Sequence, residues 1–187
     1  MKILYLHQYF KTPEEGGAIR SYHIAKEMIA KGYEVEMITS HNHNSKVIQK
    51  IEGIKVHYLP VYYDNKLGKL SRIFSFLKFI FLAYKECKKI KDVTLCYATS
   101  TPLTIGLLAL FLKKRHNIPF FFEVRDLWPL APIQLGFINN YFLQIFLFYL
   151  KKKLYKESQK VIVLSKGSFE YVQKIISTSK VILAPNI

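Results

Sequence analysis

Short apolar segments alternate with longer helical segments along the whole chain, and this alternation most constrains the fold. The strand-like segments are mostly continuous apolar runs, which is typical of strands buried on both faces of a parallel sheet. We therefore predict an α/β fold, in which a Rossmann-like, doubly wound, mostly parallel sheet has helices on both faces. Predicted strands span 3–6, 33–38, 54–59, 93–98, 118–124, 160–164 and 180–183, and predicted helices span 18–31, 70–90, 99–116, 139–157 and 165–176.

Composition limits the classes of protein that this chain can represent. Half of its 187 residues are hydrophobic, which excludes a disordered chain and suffices for one well-buried domain. The formal net charge of +15 predicts an anionic partner, either a phosphorylated small molecule, a membrane surface or a nucleic acid. Nucleic acid is disfavoured because the chain has no recognition-helix, RNP or zinc-finger pattern. Cys87 and Cys96 form no C-x-x-C pair, and we expect reduced thiols in a cytoplasmic protein without a signal peptide.

The first 20 residues predict an anion site. A buried strand is followed by a polar loop, by Gly16 and Gly17, and by a helix that starts near Ala18. A helix amino terminus offers unpaired N–H groups, and glycine lets a phosphate approach the backbone. Arg20 in the first helical turn has a side chain long enough to reach the same anion. The alternative is that the glycines form only a flexible turn, since neither G-x-G-x-x-G nor a P-loop occurs in the chain.

Polar residues follow several predicted strands, and ligands of doubly wound sheets bind beyond the carboxyl ends of the strands. Hydroxyl groups dominate the set, which suits a sugar or phosphate. The most specific candidate site is 123–126, where a carboxylate can orient a hydroxyl and an arginine can neutralise a phosphate. The alternative is a local ion pair of loop charges. We expect no metal, because His41 and His43 lack a third ligand. The candidate residues are His7, Thr99, Ser100, Glu123, Arg125, Asp126 and Trp128.

The segment 66–91 combines lysines with aromatic residues and has Glu86 as its only glutamate. Surplus aromatics beside lysines are typical of an interfacial membrane helix. The alternative is a helix buried on several sides, with lysines that solvate its ends. We expect the sheet to bury Leu70, Ile73, Phe74, Leu77, Phe81 and Tyr84, and we expect Phe76, Phe79, Lys85, Lys88 and Lys89 to contact an anionic membrane surface.

Three segments carry a family resemblance. Residues 2–39 join an apolar strand, Gly-Gly-x-x-Arg, Lys-Gly-Tyr and Glu-Val-Glu-Met-Ile-Thr, residues 121–129 read Phe-Phe-Glu-Val-Arg-Asp-Leu-Trp-Pro, and residues 184–186 read Ala-Pro-Asn. In this order they resemble the amino-terminal domain of GT-B glycosyltransferases of family 4. The second segment resembles the bacterial amino-sugar transferases of O-antigen and capsule synthesis. The third resembles the hinge into a second Rossmann-like domain.

The resemblance implies a glycosyltransferase that moves a sugar from a nucleotide-sugar donor with retention, without a metal or other cofactor. Its acceptor would be a lipid-linked glycan on a polyprenyl diphosphate, at the cytoplasmic face of the cell membrane. The donor diphosphate would bind at Gly16, Gly17 and Arg20. The family commonly has a histidine-aspartate pair after the fifth strand, and here Arg125 takes the first position while Asp126 keeps the second. These two are the candidate catalytic residues; His7, Thr99, Ser100, Glu123 and Trp128 are the candidate acceptor-binding residues.

The resemblance also implies a second domain. The family's donor-binding Glu-x7-Glu motif belongs to a carboxy-terminal domain, which is absent from this chain. We therefore expect 1–187 to be the amino-terminal, acceptor-side domain and to be inactive alone. The alternative is a non-catalytic α/β module that binds a phosphorylated ligand or a membrane surface.

Overall fold

A computed structural model describes residues 1–17, 19–64 and 66–186. The predicted start of the first helix at Ala18 lies outside the described residues. The backbone divides into two compact units, Met1–Tyr97 and Ala98–Ile187. We describe each unit separately.

The first unit contains five strands and two α-helices among its described residues, together with a short 3-10 helix at Pro13–Glu15. Its strand order is β3-β4-β2-β1-β5. β1 and β2 are parallel, β2 and β4 are parallel, and β3 is antiparallel to β4. The last two residues of β5 belong to the second unit. The elements are β1 (Lys2–Leu6), α1 (Arg20–Ala30), β2 (Glu34–His41), β3 (Val47–Ile51), β4 (Ile54–Pro60), α2 (Lys69–Cys87) and β5 (Val93–Thr99).

Local sequence explains these elements. The apolar run of β1 is buried throughout Ile3, Leu4, Tyr5 and Leu6, as expected for a strand covered on both faces. The β3–β4 hairpin turns at Glu52 and Gly53, whose φ angles are 44° and 91°. α1 joins β1 to β2, and α2 joins β4 to β5 in the opposite direction along the sheet. Because such crossovers are right-handed, the two helices cover opposite faces.

α2 buries Phe79, so the expected contact of Phe79 with a membrane is wrong, whereas Lys85, Lys88 and Lys89 of the same prediction are exposed. Phe79 and Ala83 have no exposed surface, and Phe76 stacks on Tyr63 with ring centres 5.9 Å apart. Most of the residues that we expected the sheet to bury face solvent instead, and Leu70 is 84% exposed. Both faces are apolar, so hydrophobicity alone does not select between them. The buried face also carries Glu86, which pairs with His57 of β4.

The second unit contains three further strands, with β6, β7 and β8 parallel and adjacent in that order. Its apolar strands confirm the predicted α/β class, since Phe120, Phe122, Val161 and Val163 are buried. Among the residues described, no helix is both long and apolar enough to cross a bilayer. The elements are α3 (Ile105–His116), β6 (Phe120–Val124), α4 (Leu130–Gln134), α5 (Tyr141–Glu157), β7 (Lys160–Val163), α6 (Lys166–Gln173), a 3-10 helix (Thr178–Lys180) and β8 (Val181–Leu183).

Two helices of the second unit, α3 and α4, depart from the prediction by more than a few residues. α3 begins at Ile105 rather than near 99–102, because the hydroxyl groups before it bond to the next strand instead of capping the helix. The five-residue helix α4 lies in a segment predicted as loop. α3 packs closely on α5 at Gly106, where a side-chain Cβ would lie 3.1 Å from Cγ of Leu154.

Candidate functional site

In the first unit, the ends of β1 and β2 are joined by hydrogen bonds around Gln8. Its carbonyl oxygen accepts from Thr39 Oγ1 at 3.0 Å, from Ser40 Oγ at 2.8 Å and from the Ser40 amide at 3.1 Å. The amide of Phe10 donates to Thr39 Oγ1 at 3.2 Å. The loop that leaves β1 is therefore anchored at the carboxyl edge of the sheet, where a ligand of a doubly wound fold is expected.

Two buried side chains at this edge differ in their bonding. His7 Nδ1 lies 2.7 Å from Ser21 Oγ, which connects the end of β1 to the first turn of α1. The Gln8 side chain is fully buried, and neither its amide nitrogen nor its amide oxygen has a hydrogen-bond partner among the described residues. Leaving a buried amide unsatisfied costs free energy, and such groups are often completed by a water or a ligand. Neither Gln8 nor Ser21 is among the residues predicted from the sequence, although each adjoins one that is, His7 and Arg20.

The glycine pair stands open to solvent in front of α1. Gly16 and Gly17 have φ angles of 69° and 89°, and an added Cβ would meet no atom within 4 Å at either position. α1 begins at Arg20 with Ile19 as its N-cap, and no side chain caps it. The amide of Tyr22 in this first turn donates to the Ile19 carbonyl at 3.0 Å, and the positive end of the helix dipole favours an anion nearby. The residues predicted to bind a diphosphate thus adjoin one another at an exposed loop and helix start.

In the second unit, the end of β5 is bonded to the end of β6. The fully buried carboxylate of Glu123 accepts a hydrogen bond from Thr99 Oγ1 at 3.0 Å. The Ser100 amide donates to the Glu123 carbonyl at 2.8 Å, and Ser100 Oγ accepts from the Arg125 amide at 2.9 Å. Glu123 and Thr99 are both inaccessible, so their bond joins the ends of β5 and β6 below the surface.

The exposed part of this site is built around Asp126. Its carboxylate accepts a hydrogen bond from Thr101 Oγ1 at 3.0 Å, and its carbonyl accepts from the Trp128 amide at 2.8 Å. Thr101 has a φ angle of 100°, which a β-branched residue rarely adopts. Such strained residues cluster at functional sites, where the surrounding structure holds them. Asp126 is therefore an oriented carboxylate that faces solvent.

We name the set Thr99, Ser100, Thr101, Glu123, Arg125, Asp126 and Trp128 the strand-end site. It can orient a sugar hydroxyl through Asp126 and offers a cationic side chain, Arg125, one residue away. The structure brings these predicted residues together within the second unit. Thr101 is not among the predicted site residues; the sequence places it within the predicted helix 99–116. His7, Gly16, Gly17 and Arg20 belong to the first unit.

A second buried polar cluster, which no sequence pattern indicated, links β2, β4 and α2. His57 Nε2 lies 2.7 Å from Glu36 Oε2, and its Nδ1 lies 3.1 Å from Glu86 Oε1. All three side chains are buried. Because an ionised carboxylate only accepts, both contacts are hydrogen bonds when both ring nitrogens carry protons. We name Glu36, His57 and Glu86 the buried triad.

Surface lysines surround the buried triad and lower the pKa of both carboxylates. Burial alone would raise the pKa of Glu86, but hydrogen bonds from Lys46, Lys89 and His57 outweigh it and lower this pKa to about 2. Burial likewise opposes the hydrogen bonds from His57, Lys55 and Lys2 that lower the pKa of Glu36. Glu36 lies in the first half of β2, away from the carboxyl edge of the sheet, and His57 of β4 connects it to Glu86 of α2. The triad therefore holds α2 on the sheet.

Comparisons with known proteins agree with this architecture. The family model described as "Glycosyl transferase 4-like domain" matches residues 15–186. No curated protein sequence matches the chain significantly. Among solved structures, sucrose-phosphate synthase from Thermosynechococcus elongatus is similar with a TM-score of 0.70 and 15% identity, over 98% of this chain and 47% of that chain.

Two further structures are similar over nearly the whole chain. UDP-GlcNAc 2-epimerase from Neisseria meningitidis, bound to UDP-GlcNAc, has a TM-score of 0.58 and 16% identity, over 98% of this chain and 45% of that chain. The calicheamicin glycosyltransferase CalG4 has a TM-score of 0.58 and 12% identity, over 98% of this chain and 52% of that chain. At these identities the likeness shows the fold alone. The chain spans about half the length of these proteins.

Proposed function

Because this chain belongs to the glycosyl transferase 4-like domain family, we propose that it forms the acceptor-side half of a retaining GT-B glycosyltransferase. The donor is a nucleotide-sugar, and the acceptor is a glycan carried on a polyprenyl diphosphate. The reaction takes place at the cytoplasmic face of the cell membrane, during synthesis of a cell-surface polysaccharide of the O-antigen or capsule type. A donor-binding domain completes the enzyme, and residues 1–187 alone are inactive.

The observation that carries this proposal is the exposed, oriented carboxylate of Asp126. The bond from Thr101 Oγ1 restrains the carboxylate, and the buried Thr99–Glu123 pair supports the loop beneath it. One carboxylate oxygen is engaged by Thr101, and the other can accept a hydrogen bond from a sugar hydroxyl. Holding that hydroxyl at a fixed distance from the reacting carbon lowers the entropic part of the barrier. Arg125 supplies positive charge near the transferred sugar or its phosphate.

We further propose that the donor diphosphate binds at the glycine pair. Gly16 and Gly17 leave space for phosphate oxygens against the backbone, and the positive end of the α1 dipole attracts an anion. Arg20 adds a full positive charge at the same helix start. With positive charge supplied by the chain, the site is proposed to need no metal, and transfer is expected to continue in EDTA.

A matched pair of aspartate variants tests the catalytic assignment. Asp126→Asn keeps the side-chain size but removes the charge, and we expect transfer by the full-length enzyme to fall on the order of a hundredfold, as for loss of one acid–base group. Asp92→Asn is the control, since Asp92 is also exposed but lies in the turn before β5. Transfer is measured with labelled nucleotide-sugars and a polyprenyl-diphosphate acceptor.

The same assay separates the proposal from its alternatives. Near-normal turnover by Asp126→Asn would remove this residue from the site. Donor epimerisation in the absence of acceptor would indicate an epimerase, an activity named for one protein of similar fold. Binding of a phosphorylated ligand or of membranes, without turnover of any donor by the full-length protein, would indicate a non-catalytic module.

A further inference from the structure

The outward face of α2 is a continuous apolar stripe within the first unit. Leu70 is 84% exposed, Phe74 69% and Phe81 58%, and Ile73 and Leu77 between them are also exposed. At about 100° per residue, these five side chains occupy an arc of roughly 100° around the helix. Isolated exposed apolar residues are ordinary, but a contiguous exposed apolar patch indicates an interaction surface. We name these five residues the α2 stripe.

Positive charge borders the α2 stripe. Lys78 and Lys85 are exposed and lie along one edge of it, and Lys88 follows the helix end. Lys85 Nζ lies 4.3 Å from the ring centre of Phe81, which is a cation–π contact between two exposed side chains. The single glutamate of α2, Glu86, lies on the opposite, buried face and is paired with Lys46 and Lys89. The exposed face of α2 is therefore apolar, and the charged side chains beside it are all positive.

The apolar side chains and the bordering positive charges together favour one kind of partner for the α2 stripe. A second copy of the chain would place one cationic stripe against an identical one in a two-fold pair, which brings like charges together. An anionic bilayer accepts both components, because aromatic and aliphatic side chains enter the boundary between headgroups and acyl chains while lysines contact lipid phosphates. We propose that the α2 stripe, with Lys78 and Lys85 at its edge, is the surface that binds an anionic lipid bilayer. This inference refines the membrane location in the proposed function and rests on it.

Vesicle flotation tests the surface directly. The full-length protein is mixed with vesicles of phosphatidylcholine alone or with about one-third phosphatidylglycerol. We expect binding to the anionic vesicles only, with Phe74→Ser and Phe81→Ser each weakening it on the order of tenfold, from the loss of aromatic burial. The double variant Lys78→Glu/Lys85→Glu should weaken binding at least about twentyfold, since each surface lysine contributes roughly fivefold. The matched control is Tyr33→Ser/Lys50→Glu, which changes an exposed aromatic and an exposed lysine outside α2.

A fluorescence measurement establishes insertion. Phe74→Trp should be quenched by lipids brominated on the acyl chain, and Tyr33→Trp should not. Equal vesicle binding by the α2 variants and the unchanged protein would overturn the assignment of this surface and leave the membrane location intact. Failure of the unchanged protein to bind any vesicle would overturn both. Loss of self-association in the α2 variants, without vesicle binding, would instead make the stripe a protein contact. Transfer to a water-soluble acceptor analogue tests the enzymatic proposal separately in every case.

Discussion

Replacing Glu86 by Gln measures how much the buried triad stabilises the first unit. Glutamine has nearly the same size and mimics the protonated acid, so the variant removes charge without creating a cavity. The pKa of this carboxyl falls from an ordinary value of 4.5 to about 2. The difference of about 2.5 pKa units corresponds to about 3 kcal/mol at 1.36 kcal/mol per unit. We therefore expect Glu86→Gln to lower the free energy of unfolding by about 3 kcal/mol at pH 7.

The loss of stability caused by Glu86→Gln should depend on pH. A carboxyl whose pKa is lowered by folding stabilises the folded state above its unfolded pKa, and the contribution is lost as pH falls towards the folded pKa. The difference between the two proteins should be constant from pH 7 to about pH 5.5. It should shrink to a little under half of that value at pH 3.

Urea unfolding followed by circular dichroism at several pH values provides the assay. Glu27→Gln is the control, because Glu27 is exposed on α1 of the same unit. A loss below about 0.5 kcal/mol for Glu86→Gln, which is typical of a surface pair, would refute the reasoning. A difference that stays constant between pH 7 and pH 3 would also refute it, since the ionised carboxylate would then not be the stabilising species.

Two further predictions concern packing and polar burial. Gly106→Ala should lower the free energy of unfolding by about 1–3 kcal/mol, because its Cβ would overlap Leu154. Gly167→Ala, in open space on α6, should raise the free energy of unfolding by about 0.5–1 kcal/mol. Chemical denaturation compares the two variants, and equal effects would argue against tight packing of α3 on α5. Gln8→Met should leave the free energy of unfolding unchanged or raise it by about 1 kcal/mol, because the buried amide has no partner to lose. The same variant should weaken nucleotide-sugar binding, which calorimetry measures. Marked destabilisation would mean that the Gln8 amide is satisfied within the fold.

Continuous apolar runs were the sequence feature that predicted the strands most reliably. Continuous apolar runs predicted β1, β5, β6 and β7, because each run depends on residues adjacent in the chain. The helix predicted from 99 illustrates the limit of such reasoning. Thr99 is predicted to begin this helix, yet its hydroxyl bonds to Glu123, 24 residues away. A long-range partner of this kind leaves no local signal.

The sequence by itself determined the α/β class, the strand-end positions of the polar residues and the exposed glycines before α1. These follow from spacing along the chain and from backbone freedom. Only the tertiary structure decided which apolar face of α2 is buried, because both faces satisfy helical periodicity and hydrophobicity. The sheet takes the face with Phe79 and Glu86, since there the carboxylate meets His57. Once that charge is paired in the interior, the other apolar face is left at the surface beside its lysines.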